Sequence, residues 1–195
     1  MALFRLPTAG PPALAPRGNG LVLRAPQMSD FLQWTHLREG SREYLTPWEP
    51  IWPADDLTRS GFRRRLRRYA EDIAADRSYP FIIFREADAA MVGGITVANV
   101  RRGIVQASTI GYWIGEPYAH RGYMTAALRL LLPTLFGELN LHRVEAACIP
   151  SNIASIRVLQ KCGFSCEGQA RRYLCINGVW QDHLLFGLLS EDFRG

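Results

Sequence analysis

The sequence predicts a mixed α/β fold with one mostly antiparallel central sheet, in the element order β-α-α-β-β-β-α-β-α-β-β. Three observations predict it. Three apolar runs, 79–85, 91–100 and 105–114, follow one another through short AD and RRG stretches, the pattern of an antiparallel meander. Two segments with apolar residues at helical spacing then flank a further strand-like run. The chain closes on strand-like sequence around Asn177-Gly178, a dipeptide suited to a tight hairpin turn.

The elements read in order as follows. LVLR at 21–24 alternates between Gly and Pro boundaries and predicts a strand. Ser29 is the expected cap of a helix whose stripe is Phe31, Leu32, Trp34 and Leu37. YLTPWEPIWPADD is studded with proline and is expected to be a stiff aromatic loop. Phe62, Leu66, Tyr69 and Ile73 recur at helical spacing over 58–76, with arginines over the remaining surface. After the meander, a helix is expected over 122–136 with Pro133 in its last turn, then a strand over 142–149. A short helix over 152–161, stopped by Gly163, precedes the hairpin.

At 195 residues, 48% hydrophobic and 21% charged, the chain fits one globular domain. A flexible arm is expected over 1–18, interrupted by Pro and Gly, with a single domain over 19–195. The arm has no continuous apolar stretch of the signal-peptide type, and no run is long and apolar enough for a membrane helix, so no membrane partner is expected. Cys148, Cys162, Cys166 and Cys175 match no zinc spacing. Reduced thiols, no metal and a cytoplasmic location are therefore expected. All but one of the 23 basic side chains are arginines, Lys161 being the exception, and the net charge is +5. Arginine suits phosphate and carboxylate groups, but this excess is modest and makes nucleic-acid contact incidental.

Residues 118–132, YAHRGYMTAALRLLL, place a His-Arg-Gly corner just ahead of an apolar helix. The first N–H groups of a helix lack internal partners, and the macrodipole adds positive potential there. Gly122 lets an anion approach the backbone closely. No G-x-x-x-x-G-K-[ST], G-x-G-x-x-G or G-x-S-x-G motif is present, which removes P-loop, dinucleotide-fold and serine-hydrolase readings.

GYWIGEPYAHRGYMTAAL, followed by LHRVEAACIPSNIASIRVLQKCGFSCEG, resembles the acetyl-CoA-binding core of the GNAT acetyltransferases. In that family's Gln/Arg-x-x-Gly-x-Gly/Ala loop the central Gly is kept as Gly122, while Ala119 and Met124 depart from the pattern. LTPWEP, IGYWIG, LHRVEA, the N-x-x-S run and the terminal RRYLCINGVWQDH resemble the RimJ-type ribosomal-protein-alanine N-acetyltransferases over about residues 20–190. The resemblance implies a GNAT fold whose fourth and fifth strands, 105–114 and 142–149, splay apart. The pantetheine arm of acetyl-CoA would pair with the first of these, at residues such as Ile114. The pyrophosphate would rest on Arg121, Gly122, Tyr123, Met124 and Thr125, with Asn152 and Ser155 toward the thioester.

The implied reaction moves acetyl to an N-terminal α-amine of the Ala or Ser type, of a ribosomal protein, by direct attack in a ternary complex. Leu159 stands where many GNAT enzymes carry a Tyr acid, so Ser155 becomes the candidate acid. An α-ammonium has a pKa near 8 and needs only a mild base. Glu49 is the first candidate, as base or N-terminus binder, and Glu145 the second. Glu116 is expected to face away from the corner. Trp48, Glu49, Trp52 and Tyr112 are the candidate acceptor wall. A small amine as acceptor, or a ribosome- or RNA-associated protein without turnover, stays open, as does oligomerisation.

Overall fold

A computed structural model describes residues 14–193. Its sheet has eight strands in the spatial order β1-β2-β3-β4-β5-β6-β8-β7. The strands are β1 (Arg17–Gly18), β2 (Leu21–Arg24), β3 (Tyr79–Arg85), β4 (Met91–Arg101), β5 (Ala107–Ile114), β6 (Arg143–Cys148), β7 (Ser165–Ile176) and β8 (Val179–Leu189). All neighbours are antiparallel except β5 and β6. The helices are α1 (Phe31–Gly40), α2 (Arg42–Leu45), α3 (Arg59–Ala74), α4 (Tyr123–Phe136) and α5 (Ile153–Lys161).

Side-chain alternation builds a three-layer domain. Leu21 and Leu23 of β2, with Phe81 and Ile83 of β3, point into a core shared with Leu128, Leu131 and Leu132 of α4 and Leu159 of α5. The intervening Val22, Ile82 and Phe84 point the other way, onto Trp34 and Leu37 of α1 and Phe62 of α3. Because β3 is covered on both faces, YPFIIFR reads as a continuous apolar run rather than an alternating one. Gly94 is required by a close approach: a Cβ there would lie 2.7 Å from the Trp113 indole nitrogen.

Several expectations change. Residues 1–13 of the expected arm lie outside the described residues, but its last part belongs to the domain. Leu14 is buried in the core, and Arg17 and Gly18 pair with Val22 and Leu21. Ser29 does not cap α1: Met28–Asp30 form a 3-10 turn, and the Asp30 carboxylate accepts the Gln27 N–H at 2.7 Å. Leu32 leaves the apolar stripe and is 74% exposed. The proline-rich segment is not all loop, since Arg42–Leu45 make one α-turn and Thr46–Trp48 a 3-10 turn before Pro50 ends the regularity. The expected helix over 58–76 is α3, with Thr58 as its cap accepting the Gly61 N–H at 3.0 Å. Arg64 and Arg65 pair with Asp55 and Asp56.

The parallel pair β5–β6 is the feature that positions the site. Their register holds only for Ala107↔Arg143, Ser108↔Val144 and Thr109↔Glu145. Beyond Thr109 the strands diverge, while β5 stays paired to β4 up to Ile114 and β6 to β8 up to Cys148. The splay implied for the fourth and fifth strands of the sequence reading is thus present. No described helix is long and apolar enough to cross a membrane.

Candidate active site

The gap between β5 and β6 opens into a cleft of about 750 Å³. One bank is the freed edge of β5, 110–114, whose backbone groups on that side have no strand partner. Such groups can hydrogen-bond an extended amide-bearing ligand in the manner of an added strand.

The N-terminus of α4 closes one end. Gly122 takes φ +81°, a left-handed conformation that favours glycine, and a Cβ there would meet nothing within 4 Å. No side chain caps this turn. Gly122, Tyr123, Met124 and Thr125 line the cleft, so the open first turn faces the gap and suits an anion. Arg121 is not among the lining residues. Glu116 is exposed and outside the lining.

At the other end α5 begins. Asn152 is its cap, accepting the Ser155 N–H at 3.0 Å. The Ser155 and Tyr112 hydroxyls share a hydrogen bond of 2.8 Å across the gap. Burial pushes the Tyr112 phenol well above its usual range, so it stays protonated. Burial also raises the Cys148 thiol beside Ser155. Leu159 is fully buried in the core. The pair can therefore donate a hydrogen bond to an anion in the gap. Ser155→Ala and Tyr112→Phe are each expected to lower kcat about 10- to 100-fold with little change in cofactor affinity, as read by steady-state kinetics and calorimetry.

Glu49 lines the cleft but is already engaged. Arg38 donates to it through both terminal nitrogens, at 2.7 and 2.6 Å, and the Trp52 indole N–H donates at 2.7 Å. The Arg38 guanidinium lies 4.1 Å from the Trp52 ring centroid and 4.9 Å from that of Trp113. Trp48 and Tyr112 both line the cleft, but Tyr112 turns to Ser155 of α5, on the face of the sheet away from Glu49; Trp52 is not in the lining and instead supports Glu49. Glu145 is also outside the lining. It sits where β5 and β6 are still paired and is held by Arg101 and Arg143. Arg38 went unnoticed in the sequence because an arginine inside an amphipathic helix reads as a solvent-facing residue. Tyr44 and Tyr118 of the lining were not anticipated either. The cysteines are unpaired, with Cys148 and Cys162 buried and Cys166 exposed.

Residues 20–165 match the family described as "Acetyltransferase (GNAT) domain". The chain belongs to the GNAT acetyltransferase family. It is 35% identical over 176 residues to the Bacillus subtilis "Probable N-acetyltransferase YjcK", covering 90% of this chain and 97% of that one. It is 31% identical to the Escherichia coli "[Ribosomal protein uS5]-alanine N-acetyltransferase", with 89% of each chain covered. The solved structure of Mycobacterium smegmatis RimJ in complex with CoA-disulfide superposes with a TM-score of 0.85 at 32% identity, covering 90% of this chain and 84% of that one. The strand splay and these likenesses agree on a GNAT fold, and the likenesses relate the chain to N-acetyltransferases of the RimJ type.

Proposed function

We propose that this GNAT N-acetyltransferase takes acetyl from acetyl-CoA and delivers it to a protein N-terminal α-amine of the Ala or Ser type, with a ribosomal protein as acceptor. The observation that carries the reading is the cleft itself: an open helix N-terminus at one end, an unpaired strand edge along the side and a protonated hydroxyl pair at the other end. Those parts fit a diphosphate, a pantetheine arm with its amides, and a thiol leaving group in that order. The fit rests on the space over Gly122 and on the freed edge of β5.

The N–H groups at the start of α4, from Arg121 to Thr125, would hold the diphosphate, and the backbone near Ile114 would hold the arm. Asn152 would steady the arm where it meets α5. Acetyl-CoA supplies the activated acyl group. The Tyr112–Ser155 pair protonates the departing sulfur, and Glu49, fixed by Arg38 and Trp52, orients the acceptor amine, which attacks in its neutral form. Trp48 walls the acceptor side. The likeness to the alanine N-acetyltransferase of uS5 supports the choice of a protein N-terminus.

A thiol-release assay with peptides beginning Ala, Ser or Met, alongside spermidine and an aminoglycoside, tests the proposal. Turnover with the Ala- or Ser-led peptides is expected. Turnover confined to the small amines would replace the acceptor, and binding of acetyl-CoA without any turnover would replace the catalytic reading.

A further inference from the structure

The cleft opens on both faces of the sheet. Tyr112 reaches Ser155 of α5 on one face, while its neighbour Trp113 stacks on Arg38 of α1 on the other. Strand β8 repeats the alternation. Phe186 and Leu188 point into the α4–α5 core and Leu184 packs against it, so His183 points to the opposite face. That is also the face of Leu174 and Ile176, which pair with Gln181 and Val179 and line the cleft. His183 is therefore on the acceptor bank with Glu49, whose carbonyl accepts the Asn177 N–H at the hairpin tip at 2.9 Å.

His183 is 2% exposed and its ring is anchored. Nδ1 lies 2.9 Å from the Gln181 carbonyl oxygen, and Tyr173 meets the ring edge-on at 5.8 Å between centroids. A carbonyl oxygen can only accept, so Nδ1 carries a proton, and in the neutral ring the lone pair is on Nε2. Other groups at the cleft do not match this. The Glu49 carboxylate already receives donors from Arg38 and Trp52. His120 is exposed in the turn before α4, beside the anion site. Arg157 and Lys161 are cations, and the phenols act as donors near neutral pH.

We infer that His183 is the proton acceptor for the attacking amine, set on the face of the sheet opposite the Tyr112–Ser155 acid. This rests on the acetyl-transfer reading above. As the amine nitrogen bonds to the acyl carbon and the carbon–sulfur bond breaks, the proton lost from nitrogen passes to His183 Nε2. The sulfur takes its proton from the Tyr112–Ser155 pair, and both groups recover through solvent.

His183→Asn is the deciding variant, because its amide keeps a donor for the Gln181 carbonyl and removes Nε2. With acetyl-CoA and whichever amine the parent protein turns over, kcat is expected to fall about 100-fold or more. Acceptor KM, acetyl-CoA affinity and melting temperature are expected to stay close to the parent's. Free imidazole is expected to restore about tenfold of the activity lost in His183→Ala. A kcat for His183→Asn within about threefold of the parent, or a loss confined to KM, overturns the inference. If the parent turns over no amine at all, the acetyl-transfer reading fails by itself. The imidazole ¹⁵N shifts then decide the present point: an Nε2–H tautomer of His183 overturns it, and an Nδ1–H tautomer upholds the geometry.

Discussion

Gly122→Glu is expected to abolish measurable acetyl-CoA binding while the domain stays folded. The left-handed φ of +81° makes any side chain here strained, at about 1–2 kcal/mol. That cost is small against the roughly 5–15 kcal/mol that stabilises a typical domain. The loss comes instead from where the side chain goes. The space beyond Gly122 is open and faces the cleft, so a carboxylate would occupy the anion site and oppose the charge that α4 favours there. Gly122→Ala carries the same strain without the charge and is expected to lose less than about tenfold in affinity. Calorimetry on the two variants separates the effects. Equal affinities would remove the anion cradle from the reading of this corner.

Arg38→Met is expected to lower stability by about 3 kcal/mol, the low end of the cost of removing one partner of a buried ion pair, because Glu49 is only partly buried at the cleft. The side chains of Arg38 and Glu49 are 8% and 19% exposed, so water compensates only part of the loss. The methionine would keep much of the stacking volume between Trp52 and Trp113, which confines the change largely to charge. Arg38→Met/Glu49→Gln removes both charges and is expected to recover most of the stability, as read by urea denaturation. A double variant no more stable than the single one would show that the two charges are not coupled. Glu49→Gln alone is expected to raise acceptor KM and lower turnover with acetyl-CoA affinity unchanged.

The strands were legible because their signals are local. Alternation in 21–24, the continuous run in 79–85 and Asn177-Gly178 each report on their own backbone. The corner at Gly122 was legible for the same reason, since a glycine before an apolar helix defines both the turn and the open N–H groups. What stayed hidden depends on partners distant in sequence. Nothing near Arg38 announces that Trp52 and Trp113 will close on it from a loop and a strand. Alternation assigns Glu145 to one face of β6, but only the register with Thr109 shows that the strands have not yet parted at that level. The α-turn at Arg42–Leu45 was missed because the prolines that forbid helix, Pro47 and Pro50, lie beyond it. Leu32 was misassigned because an apolar side chain can sit on the solvent side of a helix at modest cost.

Among the described residues, three register pairs between β5 and β6, with the Gln106 carbonyl accepting from the His142 and Arg143 N–H groups at their closed end, make the backbone ladder that joins strands β1–β5 to strands β6–β8. In mechanical terms the sheet has a seam running in from its rim, with Thr109 at the tip of the notch. A load pulling the two halves apart would concentrate there, where few rungs share it. A ligand lying in the notch and bonded to both sides would act as a rivet, so saturation with it should raise the unfolding force and slow amide exchange along 110–114 more than anywhere else in the sheet.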